Sequence, residues 1–402
     1  MTIAIQHVRL IDGTGLVTER ATVLIRGTKI AAAGPSRTMT IPRGTTKIDG
    51  RGLTVIPGLM DCHVHLCLGA EPDVVAAVES ESPSMTLLKS ARHARQTLEA
   101  GFTTVRDVGS RDHSIFVLQQ AIERGLLPGP RIVGAGLAIC MIGGHARFIG
   151  QEVEGTEQVR RAVEAQLTAG AGVIKVIASG GVLTPGTSPD QAQMTVAELT
   201  AAVETAHRAQ KKVAAHAHGS SGMTNAVRAG VHSIEHGTLL DDEAGELIKR
   251  HGVYIVPTLS ALSTTAAGRP GCGIPASALD KAKAMTKRHQ ASFKKAHRNG
   301  LFIAMGTDAG TPFNYHGDNA QELERMVAFG MSPMEAILAS TAAAARLIGI
   351  QETVGTLTKG MQADLVLLDG NPLKKIGLLR DRRRIMGVMQ GGTFVAGPLA
   401  NE

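Results

Sequence analysis

The chain has 402 residues, 43% hydrophobic and 19% charged: enough apolar material for a large core, too little charge for disorder, and a length that calls for one large barrel-type domain or two smaller ones. A net charge of +7 leaves an anionic substrate open, but aromatics are only 2% with no Trp, which argues against a base-stacking nucleic-acid surface. Cys62, Cys67, Cys140 and Cys272 show no C-x-x-C spacing, the amino terminus has no secretory-leader pattern and no apolar run reaches membrane-spanning length, so a cytoplasmic protein with reduced thiols and no membrane partner is expected.

Residues 1 to about 52 alternate apolar and polar positions, as in Ile3–Ile11 and Ala21–Arg26, the pattern of short antiparallel strands. From about 53 to 357 short β-branched runs alternate with longer helical patterns, which signals βα units around a parallel sheet. The predicted strands are Thr54–Ile56, Thr103–Asp107, Arg131–Ala135, Val173–Ala178, Val213–His216, Ser233–His236, Val253–Pro257 and Phe302–Met305, and eight such units is the count of a (β/α)8 barrel. Thr195 with Glu198, and Ser332 with Glu335 and Pro333, are helix-start signals; the second of these helices is expected to end at Gly349. The β texture returns in Ala363–Asp369 and Ile385–Ala396. The expected domains are therefore a composite β-sandwich of residues 1–56 and 358–402, and a barrel of residues 57–357. The basic run Arg380–Arg384 reads as a solvated loop.

In such a barrel, chemistry belongs at the carboxyl ends of the strands. The run from Thr54 ends in His63 and His65, which point to one face of an extended segment and can grip one cation, although solvated or capping histidines fit equally. Lys175 interrupts the apolar run 172–178; a buried lysine is costly unless neutralised or paired, and a lysine reaching to the strand mouth is the other reading. His216 and His218 end the fifth predicted strand, His236 the sixth and Asp308 the eighth. Taken singly, each histidine fits a satisfied core position and Asp308 a helix cap.

The set resembles the amidohydrolase superfamily, in its imidazolonepropionase-like and prolidase-like (Xaa-Pro or Xaa-Arg dipeptidase-type) branch. The resemblance runs through Pro57-Gly-Leu-Met-Asp-Cys-His-Val-His-Leu66, Val173-Ile-Lys-Val-Ile-Ala-Ser-Gly-Gly181, Ala215-His-Ala-His-Gly219, Ile234-Glu-His-Gly237, Gly306-Thr-Asp-Ala-Gly310 and Gly360-Met-Gln-Ala-Asp-Leu-Val366. It implies a (β/α)8 barrel with a small β-sandwich built from both chain ends. It also implies two divalent metals, zinc best suited to the imidazole-rich donors: His63, His65 and Asp308 on one, His216 and His236 on the other, bridged by Lys175 as N6-carboxylysine.

The implied activity is hydrolysis of a C–N amide bond in a small substrate, an N-acyl amino acid, dipeptide or related amide, by a metal-bridging hydroxide, with Asp308 as the catalytic proton carrier. His145 falls where relatives place a histidine at the substrate carbonyl, and His218 where they often carry a tyrosine; a histidine there would titrate near neutral pH. Arg147 is a candidate clamp for a substrate carboxylate, an exposed loop arginine being the alternative. His316, Asp318 and Glu322 are placed near the mouth. The other readings are a mononuclear imidazolonepropionase-like or deaminase-type hydrolase of a cyclic amide or amidine, and a catalytically silent binding protein. A homo-oligomer is expected, and the substrate's identity stays open because barrel loops set it.

Overall fold

The computed structural model describes residues 1–401. Both chain ends meet in one eight-stranded sheet, where Thr2–Ile11, Val17–Arg26 and Lys29–Pro35 join Leu365–Asp369, Ile385–Gln390 and Thr393–Ala396 through Leu53–Pro57, with Thr46–Asp49 also paired to Thr2–Ile11. Leu53–Pro57 lies antiparallel to Leu365–Asp369 and parallel to Thr2–Ile11. The predicted strand Thr54–Ile56 thus belongs to the end sheet; the first strand of the central region is Leu59–Val64, after the Pro57-Gly58 corner. A Cβ on Gly58 would fall 2.2 Å from the Thr103 hydroxyl oxygen, so the chain turns there against the neighbouring strand only because no side chain is present.

The central region carries two parallel sheets. One pairs Leu59–Val64, Phe102–Asp107 and Arg131–Gly134; the other orders Gly150–Val153, Ala138–Met141, Val173–Ile177, Lys212–Gly219, Ser233–Leu239 and Tyr254–Val256. Gly172 N donates to Gly134 O at 2.9 Å between the sheets. On the other side residues 302–309 bridge Ile255 and Val64: Ile303 pairs with Ile255, and Ala309 with Val64. The predicted strand Phe302–Met305 is therefore reduced to a single isolated bridge at Ile303 rather than a full strand. The fold is mixed α/β with near-continuous apolar strands, as sheets covered on both faces require.

Both capping boxes form, at Thr195/Glu198 and Ser332/Glu335. The helix expected to run from Ser332 to Gly349 is two, Pro333–Ala339 and Ala342–Ile348. Between them Ser340 donates its hydroxyl to Met60 O and accepts Met60 N–H, so the backbone leaves the helix to tie down the first parallel strand. Ala138–Met141 and Gly150–Val153, unforeseen, pair in parallel around the His145 loop. The basic run is knitted rather than free: Arg380 bonds Asp318 and Glu324, Arg382 reaches Glu99, and Arg384 reaches Asp369. All four cysteines are free thiols. Among the described residues, no helix is long and apolar enough to cross a membrane.

Candidate metal centre

Carboxyl ends of the parallel strands converge on one cavity, lined by His63, His65, His145, Lys175, His216, His218, His236 and Asp308. His63, His65, Lys175, His216, His218 and His236 end or interrupt otherwise apolar strands, so packing fixes the backbone while the side chain points at the opening; His145 comes from the loop after Ala138–Met141 and Asp308 from the bridged segment 302–309. Two donor groups form: His63, His65 and Asp308; and His216, His218 and His236.

In the first group, the Nε2 atoms of His63 and His65 lie 3.5 and 3.3 Å from Asp308 Oδ1. Their Nδ1 atoms face away, His63 to Glu235 Oε2 at 2.8 Å and His65 to Gly109 O at 2.8 Å. Donation from Nδ1–H leaves Nε2 with its lone pair toward the cavity, the arrangement a metal-ligating histidine needs. Donor separations around a tetrahedral Zn with bonds of 2.0–2.1 Å are about 3.3 Å, which both histidine–Asp308 separations match, and all three donors lie within 4.8 Å of one another.

In the second group His216 Nε2 donates to Gly180 O at 3.2 Å, His236 Nδ1 sits 2.7 Å from Thr258 Oγ1, and His216 Nδ1 lies 2.9 Å from His236 Nε2. These two nitrogens would separate by a few tenths of an ångström to share a cation. His218 Nδ1 meets Thr238 Oγ1 at 2.7 Å, and its ring stacks on His236 at 4.6 Å. The structure thus places His218 beside the two histidines expected to hold the second metal.

Protonation states suit a cation. Burial drives His63 down to about 4, with Lys175 adding to the effect, and holds His216, His218 and His236 well below the usual histidine value, leaving neutral imidazoles. Asp308 stays ionised: burial would raise its pKa, but His63, His65 and Lys175 together lower it. His65 is raised despite burial, through its contact with Asp308. Lys175 is 2% exposed, and among the described residues no carboxylate lies within ion-pair reach of it. Burial takes its pKa to about 8.

His236 and Asp308 both hold positive φ, 74° and 60°, uncommon for residues with a Cβ. Local strain of this kind collects at functional sites. Asp308 N donates to His63 O at 2.7 Å, which turns the carboxylate back over the His63 strand.

Several positioning residues escaped sequence reasoning. Arg106 bonds Cys62 O, Ser233 Oγ and Glu235 Oε1, and Glu235 in turn holds His63. Burial pushes Glu235 up, but Arg106 and His63 outweigh it and take it to about 2. Asp61 accepts from His63 N, Thr307 N, Thr307 Oγ1 and Asn319 Nδ2, and Asp107 accepts from Leu66 N at 2.8 Å. Their signal was available: charged residues inside apolar strands, as with Lys175. Of the other candidates, His145 is buried with its ring 4.6 Å from that of His216. Arg147 is exposed and lines an adjoining cavity with Phe148 and Leu183. His316 bonds Leu68 O, Asp318 pairs with Arg380, and Glu322 is buried as a cap on helix Leu259–Ala266.

Residues 54–395 match the amidohydrolase family. The chain belongs to this family. The ochratoxinase of Aspergillus niger is 32% identical, over 97% of this chain and 85% of that protein. Among solved structures, a Xaa-Pro dipeptidase with bound methionine is 35% identical, covers 99% of this chain and 100% of its own, and superposes with a TM-score of 0.92. A prolidase complexed with N-methylphosphonate-L-proline is 32% identical over 98% of this chain and 99% of its own, with a TM-score of 0.91. This amidohydrolase is accordingly a hydrolase acting on C–N bonds, and the family resemblance read from the motifs holds.

Proposed function

We propose that this amidohydrolase cleaves the amide bond of a small N-acyl amino acid, dipeptide or related amide with two divalent metals, most suitably zinc. His63, His65 and Asp308 would hold one, His216 and His236 the other, and Lys175, carboxylated on its amine, would bridge them. The observation that carries this reading is the convergence of two donor groups and one buried, unpaired lysine on a single cavity. Its relatives include enzymes named ochratoxinase and Xaa-Pro dipeptidase, which supports an amide substrate. The two parallel sheets and residues 302–309 are read as the wall of one (β/α)8 barrel spanning 57–357, and residues 1–56 with 358–402 as a β-sandwich domain.

Bound metals of this kind acidify a water and polarise the scissile carbonyl. The chain's own residues do the rest. Only a neutral amine adds CO2, and burial, which lowers the Lys175 pKa to about 8, favours that form; addition would release one amine proton and leave a carbamate, an oxygen-donor anion that removes the cost of an isolated buried cation. Asp308, kept ionised, can accept the proton of the attacking water and pass it to the leaving nitrogen. His145, which lines the cavity, would donate a hydrogen bond to the substrate carbonyl, and the aliphatic wall of Leu68, Val108, Ile149, Val182 and Leu262 would exclude water around it.

Elemental analysis of protein supplied with zinc and bicarbonate tests the proposal. The expected result is close to two metals per chain, falling in Lys175→Ala together with amide hydrolysis, and partial recovery of that variant with short-chain carboxylic acids. One metal per chain that ignores Lys175 would replace this reading with the mononuclear one and direct assays to cyclic amides and amidines.

A further inference from the structure

The loop after strand Val173–Ile177 forms one wall of the cavity, and it is held from an unexpected direction. Its base closes like a hairpin: Gly180 N donates to Gln191 O at 2.9 Å and Gln193 N to Ala178 O at 2.8 Å. Inside it lies the ammonium of Lys281, from helix Ala276–Arg298. Lys281 Nζ donates to Gly181 O at 3.2 Å, Thr184 O at 3.0 Å and Thr187 O at 2.7 Å. Three carbonyl dipoles aimed at one point repel one another unless a cation sits there.

The same loop touches the catalytic wall at two points. Gly180 O accepts from His216 Nε2 at 3.2 Å, and Thr184 Oγ1 lies 2.9 Å from His145 Nδ1. That hydroxyl also accepts Ala146 N–H at 3.3 Å, which holds it facing the ring nitrogen and leaves Nε2 on the other side of the ring. The fit is close: a Cβ on Gly181 would lie 2.3 Å from His145 Nε2.

We propose that Lys281 is a positioning residue, whose ammonium organises the loop from Gly180 to Gln191 and thereby fixes the orientation of His145 and of His216. The consequence for catalysis rests on the amide-hydrolysis reading above; the consequence for the loop does not.

The test compares Lys281→Met, Lys281→Arg and, as a control on the same helix, exposed Lys283→Met, each at saturating zinc. Lys281→Met is expected to lower kcat roughly 10- to 100-fold at unchanged metal content. Lys281→Arg, which keeps a cationic donor, should retain most activity, and Lys283→Met all of it. Thr184→Val added to Lys281→Met should cost little more than the worse single change. Hydrogen exchange supplies a readout independent of substrate: amides 180–191 should exchange roughly tenfold faster in Lys281→Met than in the parent protein. Unchanged loop exchange, or parental kinetics in Lys281→Met, would overturn the proposal. Faster loop exchange in a protein that hydrolyses no amide would leave the loop device standing and remove only the reading of the site.

Discussion

Glu322 shows what burial does to a single carboxyl group in this protein. It is fully buried and accepts Leu259 N, Ser260 N and Ser260 Oγ at 2.7, 2.7 and 2.6 Å, yet loss of hydration outweighs these bonds and raises its pKa from 4.5 to about 7. A folded value above the unfolded one favours the protonated form. The stabilisation is therefore whole below pH 4.5 and lost as pH rises through about 7, an amount on the order of 3 kcal/mol. Glu322→Gln cannot titrate, so urea midpoints at pH 5 and pH 8 should differ less for the variant than for the parent protein; equal slopes would show that Glu322 contributes none of the pH dependence. His218→Tyr addresses the second donor group. The structure corrects the expectation that His218 titrates near neutral pH, because burial holds it well below the usual histidine value. If it only assists the substrate, the variant keeps its zinc and changes turnover with little shift of the pH–activity profile near neutrality, whereas loss of one metal would make His218 a ligand. The ligand candidates were legible because each breaks an apolar run. Their partners were not: Thr258, Thr238, Thr184 and the carbonyls of Gly109 and Gly180 come from neighbouring strands or from backbone, and no spacing in the chain announces a contact made across the sheet.

At the level of elements, the buried pair of Arg106 on strand Phe102–Asp107 and Glu235 on strand Ser233–Leu239 ties the two parallel sheets together across their interior. Removing one partner of such a pair leaves an uncompensated charge in a dry site, worth about 3–5 kcal/mol. Arg106→Met should accordingly lower the denaturation free energy by that amount, and Arg106→Met with Glu235→Gln should recover part of it, since a buried amide costs less than an unpaired carboxylate. Additive losses in the double variant would mean that the two side chains act separately. Strand positions were largely readable because β-branched runs are local, and most observed strands fall within a few residues of the expected ones. Two of the exceptions share a cause. Residues 302–309 lack a strand's regular pairing because Asp308 is turned to positive φ above His63, and the helix after Ser332 breaks because Ser340 bonds the distant Met60. Both are long-range demands, and helix propensity or periodicity carries no trace of them.

The end sheet is joined to the rest of the molecule by strands read on both faces, Leu365–Asp369 above all. Along Leu365–Asp369, Leu365 and Leu367 pack with Ile3, Ile5, Val8, Val23 and Met389, while Val366 and Leu368 pack into the main core with Leu59, Phe102 and Ile132. Successive residues of a strand point to opposite faces, so the end sheet has one private core and one shared with the parallel sheets. Leu53–Pro57 strengthens the coupling, because Val55 belongs to the first cluster, Ile56 to the second, and the chain passes directly into Leu59–Val64 and its metal-ligating candidates. A sheet that shares one face with the main core cannot melt without exposing that core, and at about 25 cal/mol per Å² the exposure is expensive. Calorimetry of metal-loaded protein should therefore give one endotherm, with loss of zinc coinciding with loss of the end sheet. Val366→Ala, a cavity placed in the shared face, should lower that single transition without splitting it. An early separate transition for the end sheet, with zinc retained, would show instead that the two cores fold independently and that the β-rich ends act only as a cover.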